Sequence, residues 1–316
     1  MKRRDVLATA AAAAASLSAP TAAQQRVTVR FVPQADLALL DPVFTTGLVT
    51  RNHGFMVFDQ LYGLDDDFMP QPQMVEGHVI ENDGKTWKLT LREGLRFHDG
   101  TPVLARDAVA SINRWMQTDA FGQSLRAATE ELSAPSDKVI QFRLKKPFPL
   151  LPAALAKPSA FCPVMPERLA STPVNVQVSE MVGSGPFRFI AGERVAGARN
   201  VYEKFAGYVP RSSGTPSFAA GPKIVRIDRV EWVTLPDAAT AAAALQAGEV
   251  DWWEQPQPDL LPLLRRHRDI RVEAKERGGL MGMIRFNHLV PPFDNPAIRR
   301  AFLAGVNQTE YMQAVM

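Results

Sequence analysis

Alternation of apolar and polar residues marks the first element. In R-V-T-V-R-F-V, Val27, Val29 and Phe31 share one side against polar neighbours and predict a half-buried strand. After the turn-rich A-L-L-D-P-V-F-T-T-G, residues 49–64 carry apolar positions at helical spacing. Two hairpins are predicted next. The first turns at Asn82-Asp83-Gly84 and sends Trp87, Leu89 and Leu91 inward, with Lys88, Thr90 and Arg92 outward. The second strand pattern, S-D-K-V-I-Q-F-R-L-K, buries Ile140, Phe142 and Leu144. Between them Val109, Ile112, Trp115 and Met116 form one apolar stripe of a helix.

Residues 145–175 are dense in proline and predict extended connection. G-S-G-P-F-R-F reads as a glycine turn feeding a strand, and R-S-S-G-T-P-S-F-A-A-G-P-K as a flexible loop. I-V-R-I-D-R-V-E-W-V is a strand pattern. It is followed by a helix capped by Asp237 and stopped by Gly248, then by the short strand V-D-W-W-E. Strand–helix–strand with one helical crossover implies parallel pairing and an α/β domain. G-L-M-G-M-I-R-F-N is a further strand pattern, and Asn295-Pro296 opens a helix with cap and first-turn proline. The last residues, N-Q-T-E-Y-M-Q-A-V-M, start another helix whose apolar face has no predicted partner, as expected of a truncated chain.

Composition narrows the function classes. At 316 residues the chain is long enough for two structural units. It is 46% hydrophobic and 22% charged, as a folded globular chain is. The first 23 residues combine a basic start, M-K-R-R, an alanine-rich apolar run and small residues at Pro20-Thr21-Ala22-Ala23, which predicts a cleaved export signal. Arg3-Arg4 before Val6-Leu7 resembles a twin-arginine signal but lacks the flanking Ser or Thr and Phe, so the general secretory route stays open. The segment is too short to span a bilayer, and no cysteine follows it for lipid attachment. Of the formal charge of +3, removing residues 1–23 leaves 33 basic against 32 acidic residues, a balance that argues against nucleic-acid binding. Cys162, the single cysteine, forms no internal disulfide and is expected as a small buried apolar residue rather than a nucleophile.

Four motifs carry a resemblance. L-R-E-G-L-R-F-H-D-G-T-P with A-R-D-A-V-A-S-I-N-R, V-G-S-G-P-F-R-F, D-A-A-T-A-A-A-A-L-Q-A-G-E-V-D and P-P-F-D-N-P-A-I-R-R-A-F occur in this order. Together they resemble family 5 extracellular solute-binding proteins, the peptide, nickel and related receptors of ABC importers. The resemblance spans residues 24–316 but not the whole family length. One departure is Leu104, where the family favours a Thr or Asn helix cap; leucine loses about 1 kcal/mol of capping energy, which Asp107 in the first turn partly restores. The resemblance implies an α/β, two-lobed periplasmic binding protein fold. Residues 24–280 form lobe I with an extra β-rich subdomain near 50–175. Residues 281–316 hold the hinge crossing, centred near 278–286, and the start of an incomplete lobe II. It implies a periplasmic, non-enzymatic, monomeric receptor without cofactor, which delivers peptides or similar small polar solutes to an ABC permease. A chain holding only the start of lobe II is expected to bind poorly.

Candidate site residues follow, each with its plainer alternative. His98, Asp99 and Asp107 invite an acid/base or metal reading, that of an exported metal-dependent hydrolase, but no further ligands stand at working spacing. The alternative is a strand–turn–helix corner. Gly183-Ser184-Gly185 opens a strand and not a helix, which removes the helix N-terminus an anion site uses. Trp252 and Trp253 point to opposite faces of a strand, one expected in the core and the other beside Glu254 at the cleft, where ligands of open α/β sheets bind. Their alternative is packing alone. Phe44, Thr45 and Thr46 offer a ring and two hydroxyls to a ligand backbone, or simply a capped turn. Asn287 on the crossover strand is a third candidate. A non-transporting sensory protein on the same fold is the remaining functional alternative.

Overall fold

The computed structural model describes residues 26–275 and 282–315. The segment 1–23, predicted as an export signal, and residues 278–281 of the predicted hinge crossing near 278–286 lie outside the described residues. The chain divides into two compact units: residues 1–236 with 250–254, and residues 237–249 with 255–316. Five residues, 250–254, return to the first unit between two stretches of the second.

Among the described residues the first unit holds three sheets and two cores. A five-stranded sheet contains β1 (Thr28–Val32), β8 (Phe187–Phe189), β9 (Arg199–Lys204), β10 (Arg229–Val233) and β11 (Trp252–Trp253), in the order β11-β1-β10-β9-β8. β1 pairs in parallel with both β10 and β11, while β9 is antiparallel to its neighbours. The crossover between β10 and β11 therefore steps over β1 instead of pairing the two strands it joins. β1 departs from simple alternation: Val27 is exposed, whereas Phe31 and Val32 are both buried, as befits the flanked end of an inner strand. One core gathers Phe31, Leu37, Tyr202 and Trp232 with helix α1 (Leu48–Val57).

The second core covers a four-stranded antiparallel sheet, in the order β4 (Val75–Glu81), β5 (Thr86–Leu91), β7 (Val139–Leu144) and β6 (Thr129–Ser133). A hairpin of β2 (Tyr62–Leu64) and β3 (Pro70–Pro72) precedes it. The inward residues Trp87, Leu89, Leu91, Ile140, Phe142 and Leu144 are buried as their alternation predicts. The β4–β5 turn needs positive φ at Asn82, Asp83 and Gly84, which explains its composition. Helix α2 (Ala105–Trp115) buries Ile112 and Trp115 on this sheet, and α3 (Ala120–Ala128) is capped by Asp119.

The proline-rich stretch is not wholly extended. It contains α4 (Leu151–Leu155) and α5 (Glu167–Ala170), each with proline confined to its first turn or cap, where the missing N–H is harmless. Cys162 is buried, and burial pushes its thiol well above the ordinary range. The second unit contains α6 (Ala238–Ala247), α7 (Leu261–Arg266), α8 (Pro296–Ala304) and α9 (Gln308–Val315). Asp237 caps α6 through Thr240 N–H at 2.7 Å, Gly248 closes it in the left-handed conformation, and Asn295 caps α8. Residues 282–287, expected as a strand, form no strand pairing among the described residues. Among the described residues no helix is long and apolar enough to cross a membrane.

Leu104 stands at the N-cap of α2 without a side-chain cap bond, and Asp107 supplies the reciprocal half by accepting Leu104 N–H at 2.8 Å. Leu104→Thr restores the missing acceptor and is expected to raise unfolding free energy by about 1 kcal/mol. Urea denaturation checks it; an unchanged midpoint would show that the lost leucine contacts cancel the cap.

Candidate ligand-binding site

The site is built at the carboxyl ends of β1 and β11. A two-residue edge strand makes few ladder bonds, and here acidic side chains extend the ladder at both ends. Asp251 N–H donates to Arg30 O at 2.8 Å, and its carboxylate accepts Arg30 N–H at 2.7 Å. Beyond the tryptophans, Glu254 N–H donates to Val32 O at 3.0 Å, and its Oε2 accepts Gln34 N–H at 3.0 Å. The second carboxylate oxygen, Oε1, accepts Asn52 Nδ2 of α1 at 2.7 Å. Glu254 thus joins the edge strand, the loop after β1 and the helix that follows it.

That loop is held along its length. Leu37 O accepts Arg194 Nη2, and Leu39 O accepts Thr50 Oγ1 at 2.7 Å. Asp41 is fully buried and meets the buried Arg114 guanidinium in a two-pronged pair at 3.1 and 2.7 Å. Asp41 also accepts Val43 and Val178 N–H, and Arg114 donates to Thr172 O and Val176 O. Charges taken so far from water persist only when nearly every donor and acceptor is matched. The pair fixes the base of the loop, so that Phe44, Thr45 and Thr46 project from an anchored turn. Thr45 Oγ1 accepts Gly47 N–H at 3.2 Å, the capped-turn role, whereas the Thr46 hydroxyl has no hydrogen bond among the described residues.

The tryptophans depart from expectation. Neither reaches the core: Trp252 is 57% exposed and Trp253 is half-buried. β11 is an edge strand of two residues. Trp252 sets its ring edge-on to Phe31 at 4.9 Å, leaving most of its surface open. Asn287 lies in the second unit, on irregular chain rather than a strand. Its Oδ1 accepts Leu289 N–H, and it lines an open hollow of about 470 Å³ with four sequence neighbours. Sequence reading missed Gln34, Asn52 and Asp251. Asn52 carries no local sign of its role, since its partner Glu254 is 202 positions away.

The profile of bacterial extracellular solute-binding proteins, family 5 Middle, matches residues 69–316. The chain belongs to this family. A probable peptide ABC transporter periplasmic-binding protein of Sinorhizobium fredii is 38% identical over 99% of this chain and 60% of its own length. A glutathione-binding protein of Salmonella typhi is 26% identical over 87% of this chain and 51% of its own length. The chain therefore spans between half and two thirds of these relatives. Among solved structures, a dipeptide-binding protein from a Pseudoalteromonas species, in complex with Met-Leu, superimposes with a TM-score of 0.72 at 21% identity. It covers 91% of this chain and 58% of the other. A Helicobacter pylori periplasmic binding protein in complex with the peptide STSA gives 0.71 at 20% identity, covering 92% and 59%. The fold is that of the two-lobed periplasmic binding proteins.

Within this family 5 chain the apparent acid/base cluster is scaffold. His98 N–H donates to Gly183 O at 2.9 Å, its Nδ1 accepts Gly183 N–H, and its Nε2 faces Gly185 O at 3.0 Å. The imidazole therefore stitches the histidine motif to the Gly-Ser-Gly turn, with the proton on Nε2. Burial pushes its pKa down to about 4. The turn is itself a close approach: a Cβ on Gly183 would lie 2.0 Å from Val57 O, which only glycine avoids. With Ser184 buried, the turn cradles no anion. Asp99 accepts Thr101 N–H and hydroxyl, and Asp107 accepts the N–H groups of Leu104 and Glu167. Burial raises the Asp107 carboxyl above its usual range. His98, Asp99 and Asp107 are thus bonded to separate backbone segments and not to one another. Among the described residues no three His, Cys, Asp or Glu groups are placed to hold a metal ion.

Proposed function

We propose that this chain is the ligand-capturing part of a periplasmic substrate-binding component of an ABC importer, taking peptides or similar small polar organic solutes. The observation that carries the reading is an exposed tryptophan on a braced edge strand, at the carboxyl ends of parallel strands, in a family 5 chain. Trp252 and Trp253 supply ring surface, Phe44 an apolar edge, and Thr45 and Thr46 hydroxyls for ligand amides. Glu254 has both carboxylate oxygens engaged, so it positions Trp252, Trp253 and the β1 loop more than it touches ligand. Asn287, in the second unit, is a separate candidate through its side-chain amide. Lobe I comprises residues 24–280, with 281–316 opening lobe II, and residues 1–23 direct export of a monomer that carries no lipid. Capture is a population shift toward a closed form that a membrane permease recognises. The names of the relatives support a peptide or peptide-like ligand.

Titration calorimetry with Met-Leu, the tetrapeptide Ser-Thr-Ser-Ala and glutathione tests the reading. At least one is expected to bind, weakly, with a dissociation constant of about 0.1–1 mM, and Trp252→Ala to weaken it about 10-fold, or roughly 1.4 kcal/mol. Silence of all three, with no rise in melting temperature at millimolar ligand, would overturn it; equal affinity in Trp252→Ala would move the site elsewhere.

A further inference from the structure

Away from this site, the first unit contains a second concave feature. A cavity of about 370 Å³ opens between the β2–β3 hairpin and the 211–221 loop, lined among others by Asp65, Asp67, Gln71, Arg211, Thr215 and Ser217. The loop, expected to be flexible, is tied down. Arg211 donates to Val75 O at 2.6 Å, and Ala219 N–H to Leu64 O at 2.9 Å. Ser217 Oγ donates to Asp66 Oδ2 at 2.7 Å, and a Cβ on Gly63 would meet Ala219 O at 2.3 Å. The cavity wall is therefore built, with two segments about 150 positions apart locked together.

At the same place two phenylalanines face solvent. Phe68 is 70% and Phe218 58% exposed, and their rings meet edge to face at 6.3 Å. Each comes from one of the two cavity-forming segments, and Met69 beside them is also exposed. An aromatic pair held in water on a tied-down loop is unusual for a surface with no partner. Carboxylates outnumber cations at the cavity. Asp65 is saturated by the N–H groups of Asp67 and Met69 and by Gln71 Nε2, and Asp66 is held by Ser217. The Asp67 carboxylate accepts no hydrogen bond among the described residues, although it lines the cavity. The one cation in the wall, Arg211, is turned toward the backbone carbonyls of Gln73, Val75 and Glu76.

We propose that this surface docks a protein partner that inserts an arginine or lysine side chain into the cavity, with Asp67 meeting the cation and Phe68 and Phe218 flanking its stem. The aromatic faces add cation–π attraction, and the apolar rims exclude water from the ion pair. A lipid surface does not fit, because anionic headgroups would face three consecutive carboxylates, Asp65, Asp66 and Asp67.

The test uses N-acetyl-arginine methylamide as probe, with its citrulline counterpart as neutral isostere, followed by amide chemical shifts. Saturable shifts are expected at residues 65–69 and 213–218, with citrulline at least tenfold weaker. Asp67→Asn and Phe218→Ser are each expected to weaken arginine at least fivefold, while Trp252→Ala leaves it unchanged. Asp67 is exposed and its carboxylate accepts no hydrogen bond among the described residues, so Asp67→Asn leaves folding intact. Equal binding of citrulline, shifts confined to other residues, or no saturation up to about 50 mM would each overturn the proposal.

Discussion

Asp41→Ala is expected to lower unfolding free energy by about 3–5 kcal/mol, because it strands a guanidinium that is 2% exposed. Arg114 would keep the carbonyls of Thr172 and Val176 as acceptors, but neither neutralises its charge. The Val43 and Val178 N–H groups lose their acceptor in the same step. Arg114→Met should destabilise by a similar amount, leaving the carboxylate unpaired. The double variant Asp41→Leu with Arg114→Met removes both charges and should recover much of the loss, since well-packed apolar pairs often replace buried ion pairs without penalty. Urea unfolding of the four proteins forms a double-mutant cycle. A loss under about 1 kcal/mol in either single variant would mean that the pair is solvated and does not anchor the loop. Because that loop carries Phe44, Thr45 and Thr46, the single variants should also weaken ligand binding.

Acid should destabilise the fold in a defined window. Burial pushes the pKa of His53 down to about 3 and of His98 to about 4, from an ordinary 6.5. His53 is fully enclosed, with Nδ1 on Tyr202 OH at 2.9 Å and Nε2 near the Met181 sulfur. For His98, a second proton would sit on Nδ1, pointed at the Gly183 N–H it now accepts. Above pH 6.5 both rings are neutral in the folded and unfolded chain and contribute nothing to pH dependence. Below it the unfolded chain takes up protons while the folded chain does not, so stability falls with pH until about 4 for His98 and about 3 for His53. At pH 4.5 the two together are expected to have removed on the order of 5 kcal/mol. Exposed carboxylates such as Asp237, held low by Thr240, and Asp65, held low by Met69 N–H, lose their stabilising bonds only at lower pH. Urea titrations at pH 7, 5.5 and 4.5 measure the slope, and His98→Gln should flatten it. A flat wild-type profile across this range would contradict the buried neutral rings.

Local pattern accounted for much of the first unit. The β4–β5 turn, the stripe of α2 and the caps of α6 and α8 all follow from residues within a few positions of one another. The short helices α4 and α5 escaped because proline density reads as extension, although proline in a first turn is compatible with helix. The family motifs were visible, but their partnership was not: His98 and Gly185 are 87 positions apart, and nothing in either stretch names the other. The same holds for Asp41 with Arg114, and for Glu254 with Asn52. Trp252 and Trp253 were correctly placed on a strand, but the one ring expected in the core is not there, since Trp252 is exposed and Trp253 half-buried. Sequence therefore pointed to the family, while the bonds that shape the candidate site lie between distant segments.

The five-residue return of the chain at 250–254 limits how the molecule can be divided. No single cut in the gene separates the two units, since the first needs a strand encoded inside the second. A piece ending at residue 236 would leave β1 as the outermost strand, with the backbone of Arg30 and Val32 bare and Phe31 uncovered on one side. Such an edge invites pairing with any passing strand. Recombination between relatives must preserve the fit of residues 250–254 against β1, which links two remote stretches of the gene.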